Sequence, residues 1–318
     1  MYEWIGRLTK NERRMQMVSH WLRRMPRPLV EWMCRWVGLL LYMVGFALRR
    51  KIRENLSRLL PERTTGQIRR IARQYFEHGV LTLYEILVDV PSESIGSRSR
   101  FTVEGEEHLR RVLENGKGAI LFTPHVGNYF YYYWYFSQRY PCLTVVTAGS
   151  EELRPLYLRM QSLGCQGLDY DNTPPLTLLR KLRQHLREGG VILLLGDFWR
   201  PNFPPALMFG RKTRSPRGAA QLALQEQVPV IPFYGYRERG LCHRMVIEPP
   251  VYLYKYFKSN QTLEATNRLN GFLEKAIRAC PEQWFYWFNA DRRLDLVGDQ
   301  VVEGGGSKDD IDPVSVSS

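Results

Sequence analysis

Cysteine is scarce in this chain, five in 318 residues (Cys34, Cys142, Cys165, Cys242, Cys280). No two form a C-x-x-C pair, which excludes a zinc ribbon and a thioredoxin-type site, and five scattered thiols do not make a disulfide scaffold. Such usage fits a reducing compartment. The six histidines include no H-E-x-x-H pattern, and there is no G-x-x-x-x-G-K-[ST] phosphate loop. An internal repeat is lacking too. So is an apolar run of spanning length: the longest, residues 36–48, has thirteen residues. As a helix it covers about 20 Å, against about 30 Å of hydrocarbon. Extending it back to Pro28 gives the length only by taking Glu31 and Arg35 into the bilayer.

What is present is a globular composition, 44% apolar and 24% charged, with a net charge of +13. The length admits one large domain or two small ones. Such an excess of cations calls for an anionic partner: nucleic acid, a membrane surface or a phosphorylated substrate. Residues 1–60 hold thirteen Lys or Arg against four acids, so most of the excess sits in less than a fifth of the chain. The apolar run lies in the same stretch and ends at Arg49, Arg50 and Lys51. We read it as a short anchor or in-plane helix, with Trp32, Trp36 and Tyr42 at headgroup level. The bland alternative is a buried core helix with a basic cap. The apolar run favours lipid over nucleic acid, and the basic residues form no single stripe. A cleaved signal peptide is not expected, because the run starts late and no small-residue cleavage site follows.

Helical spacing of Ile68, Ile71, Ala72, Tyr75, Phe76, Gly79 and Leu83 predicts a helix over 64–90, after a shorter one at 52–60. A polar break fills 91–100. Beyond it the period changes. Strands are predicted at 101–103, 118–123 and 191–195, with a further apolar run at 228–232. Helices are predicted at 107–114, 153–163, 175–188, 216–226 and 262–279. Alternating strands and helices imply an α/β sheet. The expected organisation is a basic, membrane-associating helical region (1–60), an α/β domain with a mixed sheet covered by helices (61–296), and a disordered tail (297–318).

One constellation stands out. The buried strand at 118–123 ends, Pro124 interrupts it, and His125, Gly127 and Asn128 follow on the turn into a helix. Reactive groups gather at the carboxyl ends of strands in open α/β sheets. Glycine permits close backbone approach to a ligand. With Arg53–Leu56, Gly105, Glu107, Gly116–Gly118, Leu195–Asp197, Phe209–Gly210, Val228–Pro232, Pro281–Trp287 and Arg292–Arg293, this segment resembles the bacterial lipid A late acyltransferases. That family transfers lauroyl and myristoyl groups and belongs to the lysophospholipid acyltransferases. The resemblance runs over about 20–293, and its order and spacing carry it rather than any single piece.

The resemblance implies transfer of a fatty acyl chain from acyl carrier protein or coenzyme A to a glycolipid hydroxyl. It implies work at the cytoplasmic face of the inner membrane, with no cofactor and no metal. The family motif is His-x4-Asp/Glu, a general base and the carboxylate that orients it. Here the carboxylate position holds Phe130, and no acid follows His125 until Glu151. Three readings follow. Asp197, at the end of the strand 191–195, substitutes for the missing acid. Alternatively the acceptor is an amine, which needs less base help, as in an N-acyltransferase of a specialised pathway. In the third reading the chain binds acyl chains or carrier protein without turnover.

Other residues have candidate roles. Tyr129, Tyr132, Tyr133 and Phe136 share a helical face, read as core packing. A sharper reading makes them an acyl-tunnel wall that Phe130 narrows. Arg211, Lys212, Arg214 and Arg217 are candidates for phosphate recognition, because guanidinium forks bind phosphate oxygens. Arg200 and Asn202 sit in a proline-rich loop that reads as a rim. Arg154 and Arg159 suit an acidic carrier protein. Asn128 either holds the backbone or donates to the oxyanion. The favoured reading is acyl transfer to a membrane lipid or glycolipid with His125 as base. Nucleic acid is not expected as a partner.

Overall fold

The computed structural model describes residues 20–22, 24–89, 100–147 and 154–295. The polar break at 91–99, the tail from 297 and the side chains of Arg154 and Arg159 lie outside the described residues. From residue 27 on, the described N-terminal residues form helices α1 (Arg27–Val44), α2 (Phe46–Leu59) and α3 (Thr65–Leu87). The apolar run therefore does not form one rod. It breaks at Gly45, where the backbone leaves helical geometry (φ −82°, ψ 54°), and the axis turns by 91°. Each half then faces its own partner. Of α1, only Val30, Cys34 and Gly38 are buried, a stripe at i, i+4, i+8 that packs on α3. A Cβ at Gly38 would stand 2.6 Å from the Glu77 Cα, so only glycine lets the two helices cross this closely. Helix α2 buries Ile52, Asn55, Leu56 and Leu59, and the Asn55 amide donates to the Trp287 carbonyl at 2.8 Å. The start of α3 is fixed by a capping box between Thr64 and Gln67.

The remaining face of α1 is not core. Trp32, Trp36, Val37, Leu40, Leu41, Met43, Val44 and, on α2, Phe46 are all exposed, Phe46 by 67%. A buried-helix reading of this run fails there. No single helix among the described residues is long and apolar enough to cross a membrane; the bent pair α1–α2 passes that test together.

The rest is an α/β layer structure. Chain order is β1 (Phe101–Glu104), α4 (Glu106–Glu114), β2 (Ala119–Thr123), α5 (Tyr129–Ser137), β3 (Cys142–Val146), α6 (Arg154–Ser162) and β4 (Gln166–Asp169). Then come α7 (Pro175–Arg187), β5 (Val191–Leu195), β6 (Pro205–Met208), β7 (Arg211–Arg214), α8 (Gly218–Glu226), β8 (Val230–Arg239), β9 (Cys242–Ile247) and α9 (Thr262–Ala279). Short 3₁₀ turns at Leu253–Lys255, Pro281–Gln283 and Phe285–Asn289 precede α10 (Ala290–Arg293). Seven strands make one mixed sheet, ordered β1-β9-β8-β2-β5-β3-β4, with β8 and β9 the antiparallel pair. The strands β6 and β7 form a separate hairpin.

The central strands are buried on both faces. Along β2, Ile120 and Phe122 join one core cluster and Ala119 and Leu121 the other. Period-two alternation sends them to opposite faces, which is why the strand reads as a continuous apolar run. The aromatic helix α5 is buried at every position from Tyr131 to Phe136, not along one face alone. Its packing is the core of the second cluster.

Candidate active site

Strands β2 and β5 are parallel neighbours, with Thr123 paired to Leu195. His125 and Asp197 each lie two residues beyond that pair. The register alone therefore brings them side by side at the carboxyl edge. The His125 Nδ1 is 2.6 Å from Asp197 Oδ1. The backbone N–H of His125 adds bonds to both carboxylate oxygens, at 3.1 and 3.0 Å. Trp284 Nε1 donates to Oδ2 at 2.8 Å. Only 7% of the His125 side chain and 1% of the Asp197 side chain are exposed.

Burial by itself would raise the Asp197 pKa. The His125 charge, the hydrogen bonds from His125 and Trp284 and the His125 backbone N–H outweigh it and hold the carboxyl below its ordinary value. Asp197 is therefore an anion at neutral pH. A carboxylate accepts only, so the Nδ1 contact is an N–H donated to Asp197, and in the neutral imidazole the lone pair lies on Nε2. Charge-assisted bonds of this length are the strong kind. The opposite ring nitrogen faces Tyr286, whose hydroxyl is 3.2 Å from Nε2. The Tyr129 and Tyr286 rings meet the imidazole edge-on, each with a centroid distance of 4.7 Å.

The turn after His125 is shaped by protein contacts. Gly127 has φ +63°, and a Cβ there would strike the Tyr132 hydroxyl (2.3 Å) and the Gly235 carbonyl (2.6 Å). The glycine is required here by the close approach of these protein atoms. Asn128 is fully buried. Its carbonyl oxygen caps α5 by accepting from Tyr131 N, and its amide donates to Glu85 Oε2 at 2.9 Å. Both ends of the side chain are engaged in holding the turn. Phe130 is half-buried against Tyr129, 4.4 Å between centroids.

Beneath the turn lies a buried polar network that sequence reasoning missed. Glu85, at 0% exposure, binds the Arg237 guanidinium, His243 Nε2 and Asn128 Nδ2. Burial would raise its pKa, but Arg237 and His243 bring it down to about 2. Tyr132 Oη accepts from the Asn128 backbone N–H and meets His243 Nδ1 at 3.1 Å. His78, 2.9 Å from Arg237 NH1, is pushed down to about 3 by burial and by that cation. Helix α3 is thus tied through charge to the turn that carries His125, and a helical Glu gives no sequence signal for that.

Arg200 forms a two-point ion pair with Asp171 (2.7 and 3.0 Å) and stacks on Tyr170 and Phe198. Lys212 and Arg214 are exposed on the β6–β7 hairpin and Arg211 is half-buried. Arg214 donates to the Phe203 carbonyl. Arg217 precedes α8, its Nε buried without a hydrogen-bond partner among the described residues. A hydrogen-bonded path joins the hairpin to the site. Thr213 Oγ1 donates to the Arg293 carbonyl (2.6 Å), and Arg293 NH1 donates to the Asp197 carbonyl (2.8 Å). A small pocket beside Pro124 is lined by Phe122, Pro232, Phe272 and Ala276, with Glu248 and Lys275 also in its wall.

An imidazole paired with a buried carboxylate at adjacent strand ends of an α/β sheet is an arrangement chemically able to accept and return a proton. The description "Bacterial lipid A biosynthesis acyltransferase" belongs to a family model that matches residues 15–291, and the chain belongs to that family. It is also similar to the phosphatidylinositol mannoside acyltransferase of Mycobacterium tuberculosis, in strains ATCC 25618 / H37Rv and CDC 1551 / Oshkosh. Each match is 32% identical over 146 residues. These matches span 43% of this chain and 44% of the relative, less than half of its length. Among solved structures it is similar to the 1-acyl-sn-glycerophosphate (LPA) acyltransferase PlsC from Thermotoga maritima. Identity is 14%, coverage 80% of this chain and 97% of that one, and the TM-score 0.33.

Proposed function

We propose that the chain transfers a fatty acyl group from an acyl thioester to a hydroxyl of a membrane-associated glycolipid or related lipid. The donor is carried by acyl carrier protein or coenzyme A. One observation carries this reading: the Asp197 carboxylate on His125 Nδ1. It leaves Nε2 as the base for the acceptor proton and stabilises the imidazolium that forms. The acceptor oxygen attacks the thioester carbon, and the tetrahedral oxyanion is held by backbone N–H donors. Collapse breaks the C–S bond, and the imidazolium returns its proton to the thiolate. A carboxylate in contact with the imidazole supports ordinary O-acyl transfer over an amine acceptor or mere binding, since neither needs an oriented base.

The acceptor class is supported by the family and by the relative whose name is phosphatidylinositol mannoside acyltransferase. Arg211, Lys212, Arg214 and Arg217 offer cations to a phosphorylated headgroup. The exposed apolar face of α1 and the start of α2, with Arg49, Arg50 and Lys51 beside it, suits an interfacial helix at the cytoplasmic leaflet. The test gives the purified chain acyl carrier protein and coenzyme A thioesters together with total membrane lipid. New acylated lipid is read by mass spectrometry, and its mass names the acceptor. No acylated product with any donor refutes the reading.

A further inference from the structure

His125 has a second polar neighbour whose place in the reaction is open. The Tyr286 hydroxyl lies 3.2 Å from Nε2, and in the neutral imidazole that donates Nδ1–H to Asp197 the phenol is the donor to Nε2. That is the position an acceptor hydroxyl must take to be deprotonated directly. Tyr286 is 3% exposed and firmly held. The Arg293 guanidinium lies 3.2 Å above its ring centroid. Arg293 is itself anchored, donating to the Asp197 carbonyl at 2.8 Å and accepting from Thr213 at its own carbonyl. The backbone on either side is stitched to the histidine turn. Gly127 N–H donates to the Gln283 carbonyl (3.1 Å), Phe285 N–H to the His125 carbonyl (2.9 Å), and Val126 bridges Trp284. Swinging the phenol aside would break this frame.

We propose that Tyr286 is a catalytic residue that relays the proton of the acceptor hydroxyl to His125. The inference rests on the acyl-transfer reading above. A phenol that donates its one proton still accepts through oxygen, so the acceptor hydroxyl binds Oη rather than Nε2. As the acceptor oxygen bonds to the thioester carbon, its proton passes to Oη and the Oη proton passes to Nε2. The positive charge ends on the imidazolium beside Asp197, and the negative charge on the tetrahedral oxyanion. When the C–S bond breaks, the same path returns one proton to the leaving thiolate. The Arg293 cation over the ring face offsets negative charge on the phenol oxygen while the protons are in transit.

The experiment compares wild type, Tyr286→Phe and His125→Ala. Substrates are palmitoyl-coenzyme A with water as acceptor, and with vesicles of phosphatidylglycerol containing phosphatidylinositol mannoside. Phenylalanine keeps the ring, its packing and the contact with Arg293, and removes only the hydroxyl. Tyr286→Phe is expected to lower kcat by about 10²-fold, the scale of one general acid–base step, with the donor KM unchanged. In mixtures of light and heavy water, wild type gives a curved proton inventory and Tyr286→Phe a straight one. A Tyr286→Phe enzyme at the wild-type rate, or faster, overturns the relay; so does an acyl adduct on Tyr286. His125→Ala at the wild-type rate, or wild type without turnover, overturns the acyl-transfer reading itself. Loss confined to His125→Ala overturns the relay alone.

Discussion

Replacing Asp197 with asparagine changes one oxygen for NH₂ and keeps the shape. In the native site the two oxygens serve only donors: His125 Nδ1 at 2.6 Å, His125 N at 3.1 and 3.0 Å, and Trp284 Nε1 at 2.8 Å. Asparagine has one oxygen for these three groups. If its NH₂ turns to Trp284, two buried donors face each other, which costs about 1–3 kcal/mol. Turned to His125, the NH₂ must donate to Nδ1, and the imidazole then carries its proton on Nε2. The second arrangement satisfies more bonds and disables the base. The equivalent Asp-to-Asn change in a serine protease triad also leaves the wrong tautomer and costs about 10⁴ in turnover. We therefore expect Asp197→Asn to lose about 10³–10⁴ in kcat, or roughly 4–5.5 kcal/mol of transition-state stabilisation. The assay is initial-rate transfer of radiolabelled acyl from thioester to lipid, with a thermal melt of the same sample. A folded Asp197→Asn protein within about tenfold of the wild-type kcat would refute the reasoning.

Further outcomes follow from neighbouring groups. Phe130→Glu is expected to bring no gain in transfer rate, because Asp197 already fills the place at Nδ1; a rise of about tenfold contradicts this. Trp32→Glu with Trp36→Glu puts two charges on the exposed face of α1 and is expected to cut sedimentation with anionic vesicles by about tenfold or more; unchanged sedimentation removes α1 from the membrane contact. Glu85→Gln strands the buried Arg237 charge and is expected to cost about 3–5 kcal/mol in denaturant unfolding; a loss under about 1 kcal/mol contradicts the network. Acid stability follows the same groups. Glu85 is depressed from 4.5 to about 2 and His78 from 6.5 to about 3. For each, the unfolded chain binds more protons than the folded one between the two values. Unfolding free energy should therefore fall as pH drops from about 6.5 toward 2, and a flat profile there contradicts both assignments.

The sheet's centre was legible because β2, β5 and the start of β8 are buried on both faces and stand out as apolar runs. The short strands β3, β4, β9 and the β6–β7 hairpin carried little signal; Gln166–Asp169, for example, is half-exposed and four residues long. Asp197 could be singled out as a substitute acid because parallel strand ends share an edge. Only the β2–β5 register made it the neighbour of His125. Gly127 and Asn128 carry the family pattern, yet their contacts are with the protein, a tertiary fact that one sequence does not encode locally. The break at Gly45 was hidden because apolar residues continue on both sides of it. Glu85, Trp284, Tyr286 and Arg293 reach the site from distant segments; the resemblance covered 281–287 and 292–293 but gave these residues no role, and Glu85 carried no signal.

The measurement that bears most directly on the central claim is the transfer rate of His125→Ala. It uses the intact protein, an acyl thioester that the wild type accepts, and lipid acceptor in vesicles. With the base removed and Asp197 left facing a void, acyl transfer should fall by about 10³-fold or more while donor binding stays measurable. Transfer by folded His125→Ala within about tenfold of wild type would contradict the account.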